Sequence, residues 1–227
     1  MIRYSKIAGK FPREFLLLQG RGCFHKKCRF CDYHLDVSAD PFAVNAPVLA
    51  QIMGESGVVD VINSGSAHEI DEKSLALLRE MAEKRGVHTL WFEAHYAYGD
   101  RLGEIRARFP KQRVKFRTGA ESFDPAFRCA MQKGIPAFVT PEMLRERFEG
   151  VCLLAGVQGQ SRQGIENDIL TAARLFEYFS VNLFCPNSTP IQRDAALSRW
   201  FIEEMAPLAE ALPNCELLIG NTDLGVG

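Results

Sequence analysis

Seven apolar runs of strand length recur along the chain, and segments with helical periodicity lie between them. The predicted strands are 15–20, 58–65, 88–96, 113–121, 150–157, 178–185 and 215–220. The predicted helices are 47–56, 71–86, 101–109, 125–134, 163–177 and 194–212. Because each crossover returns the chain to the same edge, this alternation predicts a parallel sheet. We expect an α/β fold, a partial TIM-type barrel of six β/α units, (β/α)6, which a seventh strand could extend; a doubly wound open sheet would also fit the pattern.

Length, hydropathy and cysteine usage narrow the class of protein. The 227 residues are 47% hydrophobic, enough for a large core, and we expect one domain spanning residues 1–227. Seven cysteines in a chain of this length favour metal or redox chemistry in a reducing compartment over a disulfide scaffold. No stretch approaches the roughly 18 apolar residues of a membrane span, so we expect a cytoplasmic protein without membrane contact.

The charge balance argues against a polymer as partner. The chain has 27 basic and 28 acidic residues, for a formal net charge of −1, and the two signs are mixed along it. Proteins that grip long nucleic acid usually carry a basic excess that neutralises phosphates. The locally basic segments 25–27 and 108–117 are short and typical of solvated loops or strand entries. The sequence therefore favours a small-molecule substrate and no long nucleic acid.

Three cysteines, Cys23, Cys28 and Cys31, follow the first predicted strand with the spacing C-x4-C-x2-C. One loop can bring such ligands together around a metal or a cluster, and three readings are open. Zinc would need a fourth ligand, for which His25 and His34 are nearby. A two-iron cluster would need one distant cysteine, and the candidates are Cys129, Cys152, Cys185 and Cys215. A four-iron cluster with three protein ligands would keep one iron open to a reacting molecule.

Further motifs accompany this loop in a fixed order. Phe30 stands directly before Cys31, and polar or glycine-containing segments follow the later strands at 63–69, 117–134, 153–169 and 185–192. The whole pattern resembles the radical S-adenosylmethionine (SAM) superfamily, whose cysteine loop reads C-x3-C-x-aromatic-C. In that superfamily the first segment corresponds to a Gly-Gly-Glu-like turn, and the second contains a Gly-x-Glu-Ser. The first cysteine interval is one residue longer here, and the resemblance spans about residues 15–192.

The resemblance implies a 4Fe-4S cluster held by Cys23, Cys28 and Cys31, with SAM on the open iron. One electron, from a donor of the flavodoxin or ferredoxin type, then splits SAM into methionine and a 5'-deoxyadenosyl radical that abstracts hydrogen from the substrate. The same resemblance assigns further residues by position. The cofactor-binding candidates are Ser64, Gly65 and Ser66 for the methionyl end of SAM, Arg117 or Glu121 for its ribose or carboxylate, and Phe30 and Leu183 for its adenine.

Two further candidates come from the third predicted strand. Glu93 and His95 alternate with apolar Phe92 and Ala94, so both could point to the same side. Carboxylate and imidazole groups are the usual acids and bases of enzymes. We therefore predict Glu93 and His95, together with Glu121, as catalytic residues.

The chain has no basic appendage and no second cysteine group. Its size and its unusual cysteine interval resemble the queuine lyases, radical SAM enzymes of queuosine salvage that cleave a C–N bond of the free 7-deazaguanine base queuine. Three other readings remain at this point: an activase of a glycyl radical enzyme, another radical SAM enzyme with a small-molecule substrate, and a zinc or iron–sulfur binding module without catalysis.

Overall fold

The structure is a computed structural model that describes all 227 residues, Met1 to Gly227. Eight strands form one sheet in which spatial order follows chain order. They are β1 (Tyr4–Ile7), β2 (Arg13–Leu18), β3 (Val58–Asn63), β4 (Thr89–Glu93), β5 (Arg113–Glu121), β6 (Gly150–Ala155), β7 (Tyr178–Leu183) and β8 (Cys215–Leu218). The pairs β2–β3, β3–β4, β5–β6, β6–β7 and β7–β8 are parallel, which confirms the predicted strand direction.

Helices alternate with these strands. They are α1 (Pro41–Leu49), α2 (Glu72–Lys84), α3 (Leu102–Arg106), α4 (Pro125–Ala130), α5 (Pro141–Arg145), α6 (Arg162–Leu175), α7 (Ala195–Trp200) and α8 (Ala206–Ala211), with a π-helical turn at Phe201–Met205 between the last two. The amphipathic predictions for α2 and α6 are confirmed. The prediction of a helix over 47–56 is wrong, because the helix begins at Pro41 after Asp40 caps it by accepting from the amide of Ala43 (3.2 Å). No helix combines the length and the apolar character that crossing a membrane requires.

Strand β1 has no counterpart among the seven predicted strands. It contributes four residues, Tyr-Ser-Lys-Ile, that pair antiparallel with β2, Tyr4 opposite Leu16 and Ile7 opposite Arg13. The segment is too short and too polar to give a periodic signal. The other seven strands are all present, each within the range that the sequence predicted or two residues before it.

Contacts along the chain divide it into two compact units. The first unit comprises residues 1–26, 33–116 and 222–227, and the second comprises residues 27–32 and 117–221. The expectation of one domain over residues 1–227 stays a prediction.

In the first unit the sheet is buried on both faces. On one face Phe92 of β4 packs against Phe109 and Phe116, with ring centroids 5.6 and 6.0 Å away. On the other face a second cluster joins the strands to the last residues of the chain, and its members are Ile7, Phe15, Leu17, Ile62, Leu224 and Val226. Burial on both faces explains why residues 15–18 of β2 are all apolar, without alternation.

Candidate active site

In the first unit the parallel strands β2, β3 and β4 deliver three predicted site segments to one edge of the sheet. Leu18 at the end of β2 lies opposite Asn63 at the end of β3. The cysteine loop follows β2, the turn Ser64–Ser66 follows β3, and His95 lies two residues beyond β4. Carboxyl ends of parallel strands are the usual location of active sites in α/β folds.

The turn Ser64–Ser66 is fixed by its own side chains. The Ser64 hydroxyl accepts from the amide of Gly20 (2.9 Å), and the Ser66 hydroxyl accepts from the amide of His95 (3.0 Å). Both serines are buried, at 2% and 1% exposure. Their hydroxyls therefore tie the turn to the segments after β2 and β4.

Gly65 brings this turn directly against the cysteine loop. A Cβ at Gly65 would lie 3.0 Å from Cα of Cys23 and 1.9 Å from Oε2 of Glu69. No side chain fits in that space, so the backbone of the turn and the backbone of Cys23 approach each other as closely as glycine permits.

Glu69 is a buried carboxylate of this region that the sequence analysis did not single out. Its Oε1 accepts from the amide of Phe24 (2.6 Å) and its Oε2 from the amide of Ser66 (2.5 Å). The Tyr98 hydroxyl lies 3.4 Å from Oε1. Burial raises the pKa of Glu69, against the opposing effect of the hydrogen bonds from Ser66 and Phe24. The pattern Ser-Ala-His-Glu over residues 66–69 is a capping-box signature that could have indicated it.

The ring of His95 is held by aromatic packing. Phe24 meets it edge-on at 5.4 Å, and His25 stacks on it at 4.8 Å. Its Nδ1 accepts from the amide of Ala97 (3.2 Å), so a neutral His95 carries its proton on Nε2. Glu93 is the last residue of β4 and is half-buried, on the strand face opposite the buried Phe92. The catalytic roles of Glu93 and His95 stay predictions.

In the second unit the segment 27–32 carries Cys28, Phe30 and Cys31. The amide of Cys31 donates to the carbonyl of Cys28 (3.3 Å), and the carbonyl of Phe30 accepts from Nδ2 of Asn187 (2.7 Å). The carboxylate of Asp32 accepts from the amide and the hydroxyl of Ser188 (2.9 and 2.8 Å). The segment after β7, which the superfamily resemblance singled out, thus fastens this part of the cysteine loop.

Glu121 ends β5 in a left-handed conformation, with φ of 67°, at a register shift between β5 and β6. Its carboxylate pairs with Nζ of Lys133 at 2.7 Å, and both residues are buried, at 7% and 8% exposure. The same Nζ lies 5.5 Å from the ring centre of Phe30. A side chain at Gly119 would collide with this pair, since its Cβ would lie 2.5 Å from Oε1 of Glu121. Lys133 therefore connects Glu121 with the aromatic residue of the cysteine loop.

Asp168 of α6 holds the chain just beyond Glu121. It accepts from the hydroxyl of Ser122 (2.6 Å) and from the amide of Phe123 (2.8 Å). Burial raises the pKa of Asp168 to about 6, although both hydrogen bonds favour the ionised form. No motif marked Asp168 in the sequence.

Arg117 lies in the middle of β5, and Leu183 is the last residue of β7. Arg117 pairs with Gly150, the first residue of β6, and Gly150 pairs with Tyr178, the first residue of β7. Arg117 therefore lies level with the start of both strands. Leu183 is buried beside α7, since a Cβ at Gly156 would lie 2.8 Å from its Cδ1 and 2.6 Å from Oγ of Ser198. Their SAM-binding roles stay predictions, and of the two ribose candidates the position at the strand end favours Glu121.

A different apolar cluster adjoins Phe30. Its buried members are Phe127, Met131, Leu154, Val157 and Phe184, with Phe30 and Ile191 packed against them. Leu154 and Phe184 lie near the ends of β6 and β7. Alternation along a strand predicts that neighbours face opposite sides without saying which side, so it does not decide between Leu183 and Phe184.

The three loop cysteines form no disulfide and are of intermediate exposure. No group of three or more His, Cys, Asp or Glu side chains converges as a single-ion site would require. A cluster binds each thiolate through a different iron, so it does not need that convergence. Three thiols on one loop fit a cluster in donor chemistry, and the backbone of the first, Cys23, adjoins Gly65.

No protein-family model and no curated protein matches this chain. A solved structure does: a queuine lyase from Clostridium spiroforme bound to SAM and queuine is 36% identical, with a TM-score of 0.94. The match covers 100% of this chain and 99% of the other. It confirms the predicted α/β partial TIM-type barrel. With this identity over the full length, the chain belongs to the queuine lyase family of radical SAM enzymes.

Proposed function

We propose that this protein is a queuine lyase, which uses a 5'-deoxyadenosyl radical derived from SAM to cleave a C–N bond of the free base queuine in queuosine salvage. The observation that supports this most is the full-length match, at 36% identity, to a queuine lyase bound to SAM and queuine. The queuine lyases release 7-aminomethyl-7-deazaguanine, and we assign the same product here.

The cofactor assignment follows the cysteine spacing and the family. Cys23, Cys28 and Cys31 would hold a 4Fe-4S cluster through their thiolates. When bound, that cluster supplies the one-electron reduction that splits SAM. The electron would come from a flavodoxin- or ferredoxin-type donor, and the whole machinery would belong to one radical SAM core domain, residues 1–227, in the cytoplasm.

The chain's own residues bind and orient SAM. The backbone of Gly65, with Ser64 and Ser66 bracing it, would receive the methionyl end beside Cys23. Glu121 would bind the ribose, because Lys133 and the left-handed backbone hold its carboxylate at the end of β5. Phe30, with the apolar cluster beside it, would contact the adenine. Rigid placement matters here, because a primary carbon radical reacts with any C–H bond within reach.

His95 and Glu93 are the proton-handling residues in this proposal. In a neutral His95 the proton is on Nε2, because Nδ1 accepts from the amide of Ala97. Protonation of the departing amine assists cleavage of a C–N bond, and a fixed imidazole or carboxyl group can supply that proton. The aromatic packing of Phe24 and His25 fixes the ring for such a transfer.

The test is anaerobic purification with iron and sulfide reconstitution, followed by incubation with SAM, queuine and a reductant. We expect about four irons per chain, formation of 5'-deoxyadenosine, and mass-spectrometric detection of the 7-aminomethyl product. Cys28→Ala should abolish SAM cleavage. A colourless protein with one zinc would refute the radical assignment. 5'-Deoxyadenosine formed without consumption of queuine would refute the substrate.

A further inference from the structure

Glu69 links two segments of the first unit that the chain places far apart. One carboxylate oxygen accepts from the amide of Ser66, three residues earlier, and the other from the amide of Phe24, 45 residues earlier. Both contacts, at 2.5 and 2.6 Å, are within hydrogen-bonding distance, and a carboxylate that accepts from backbone amides forms charge-assisted hydrogen bonds. Glu69 is 7% exposed, so water competes little for these amides.

The bond to Ser66 alone would be an ordinary capping box at the start of the 3₁₀ helix Ala67–Glu69. The bond to Phe24 is not part of any cap. The amide of Phe24 belongs to the same planar peptide group as the carbonyl of Cys23. Fixing that amide therefore fixes the peptide plane that follows Cys23.

The backbone around Gly65 makes this arrangement tight. Glu69 Oε2 occupies the space where a Cβ of Gly65 would stand, at 1.9 Å, and Cα of Cys23 lies 3.0 Å from the same point. The carboxylate, the turn and the first cysteine thus pack against one another without an intervening side chain.

We propose that Glu69 is a positioning residue that holds Cys23 against the SAM-binding turn, and so sets the geometry between one cluster ligand and SAM. This inference rests on the proposed function. Glu69 bonds to the chain and not to the reacting groups, so its effect should reach the cluster through the Phe24 amide.

The first unit offers a matched control in Glu14. This carboxylate is 2% exposed and also accepts from two backbone amides, Met53 (2.8 Å) and Gly54 (2.5 Å), and from a tyrosine hydroxyl, Tyr4 (2.9 Å). It lies in β2 near the start of the strand, whereas the cysteine loop follows the end of that strand. Glu14→Gln therefore removes the same kind of contact without touching the loop.

The experiment compares Glu69→Gln, Glu14→Gln and the wild-type enzyme, each reconstituted anaerobically. In either variant the new amide NH₂ faces a backbone N–H donor, so one strong hydrogen bond is lost. We expect Glu69→Gln to release iron to a chelator roughly tenfold faster than wild type, and Glu14→Gln to stay within about twofold. The midpoint temperature of unfolding should be lowered in both variants. Faster iron release in Glu69→Gln alone would then not be explained by lost stability.

Amide hydrogen exchange gives a second readout that does not need the cluster. In iron-free protein, peptides covering residues 21–27 should exchange faster in Glu69→Gln and not in Glu14→Gln. Should Glu69→Gln fail to fold, Gly65→Ala displaces the same carboxylate and must accelerate iron release. Equal iron release from the Glu69 and Glu14 variants, or wild-type release from Gly65→Ala, would overturn the proposal. If the wild-type protein takes up no iron, the proposed function is overturned instead. The hydrogen-exchange comparison in iron-free protein then still decides whether Glu69 fixes the segment after Cys23.

Discussion

Replacing Lys133 by Met tests whether the Glu121–Lys133 pair is a buried electrostatic unit. Methionine keeps most of the apolar stem and removes the ammonium group. Glu121 is then left as a buried charge, at 7% exposure and with φ of 67°. Removing one partner of a buried pair costs about 3–5 kcal/mol. Loss of the cation–π contact to Phe30, at 5.5 Å, adds about 1 kcal/mol.

The surface pair Lys111–Glu83 is the matched control. Its N–O distance is also 2.7 Å, but its side chains are 70% and 31% exposed. An exposed pair contributes about 0–1 kcal/mol, so Lys111→Met should have almost no effect. For a chain of this size 1 kcal/mol corresponds to about 2–4 °C in Tm. With the lost cation–π contact, Lys133→Met costs about 4–6 kcal/mol. It should therefore lower Tm by roughly 8–24 °C, and Lys111→Met by less than about 4 °C.

The assay is unfolding of the anaerobic proteins by urea and by heat at pH 7, monitored by circular dichroism. A double variant completes the cycle: Glu121→Gln combined with Lys133→Met removes both charges and should recover most of the lost free energy of unfolding. If Lys133→Met costs no more than Lys111→Met, or if the double variant is simply additive, the buried-pair argument fails.

Two other predictions concern Asp168 and Gly156 in the second unit, and Gly103 in the first unit is the control for Gly156. Because the pKa of Asp168 rises from 3.8 to about 6 on burial, the free energy of unfolding should fall as pH rises through that window. Asp168→Asn should flatten this dependence and be at least as stable at pH 7, by urea titration at several pH values. Gly156→Ala should destabilise by more than about 1 kcal/mol, since φ is +82° and the Cβ would lie 2.6 Å from Ser198 Oγ. Gly103→Ala in α3, with open space around it, should be neutral or stabilising in the same unfolding assay.

The sequence predicts the strands well because they are long apolar runs in a parallel sheet. β6, for example, is buried at all six positions, and its neighbour β7 at five of six. Short elements carry less information. The four residues of β1 and the five of α5 (Pro141–Arg145) give too few positions for a period, so their formation depends on tertiary pairing.

The residues of the candidate site also differ in how well the sequence predicts their positions. Motif positions at strand ends, such as Gly65 and Glu121, could be placed from the sequence because the strands themselves were placed. The capping-box pattern could have placed Glu69 at the turn, but not its bond to Phe24, which spans 45 residues and is seen only in the folded chain. Lys133 lay within a segment that the resemblance singled out, but its pairing with Glu121 depends on a left-handed residue that no propensity predicts for glutamate.

Three buried carboxylates share a structural role. Glu69, Glu121 and Asp168 each fix backbone or side chains immediately after a strand or in a loop beside it, and each is charged at some cost in desolvation. An apolar residue at these positions would avoid the desolvation cost, but it could not fix a peptide plane or place a carboxylate. An enzyme that releases a carbon radical depends on such fixed positions, because a misplaced radical attacks the protein. Neutral substitutions should therefore act differently at the three positions. At Asp168 they spare or raise the free energy of unfolding, whereas at Glu69 and Glu121 they lower it and loosen the cysteine loop and the SAM contacts.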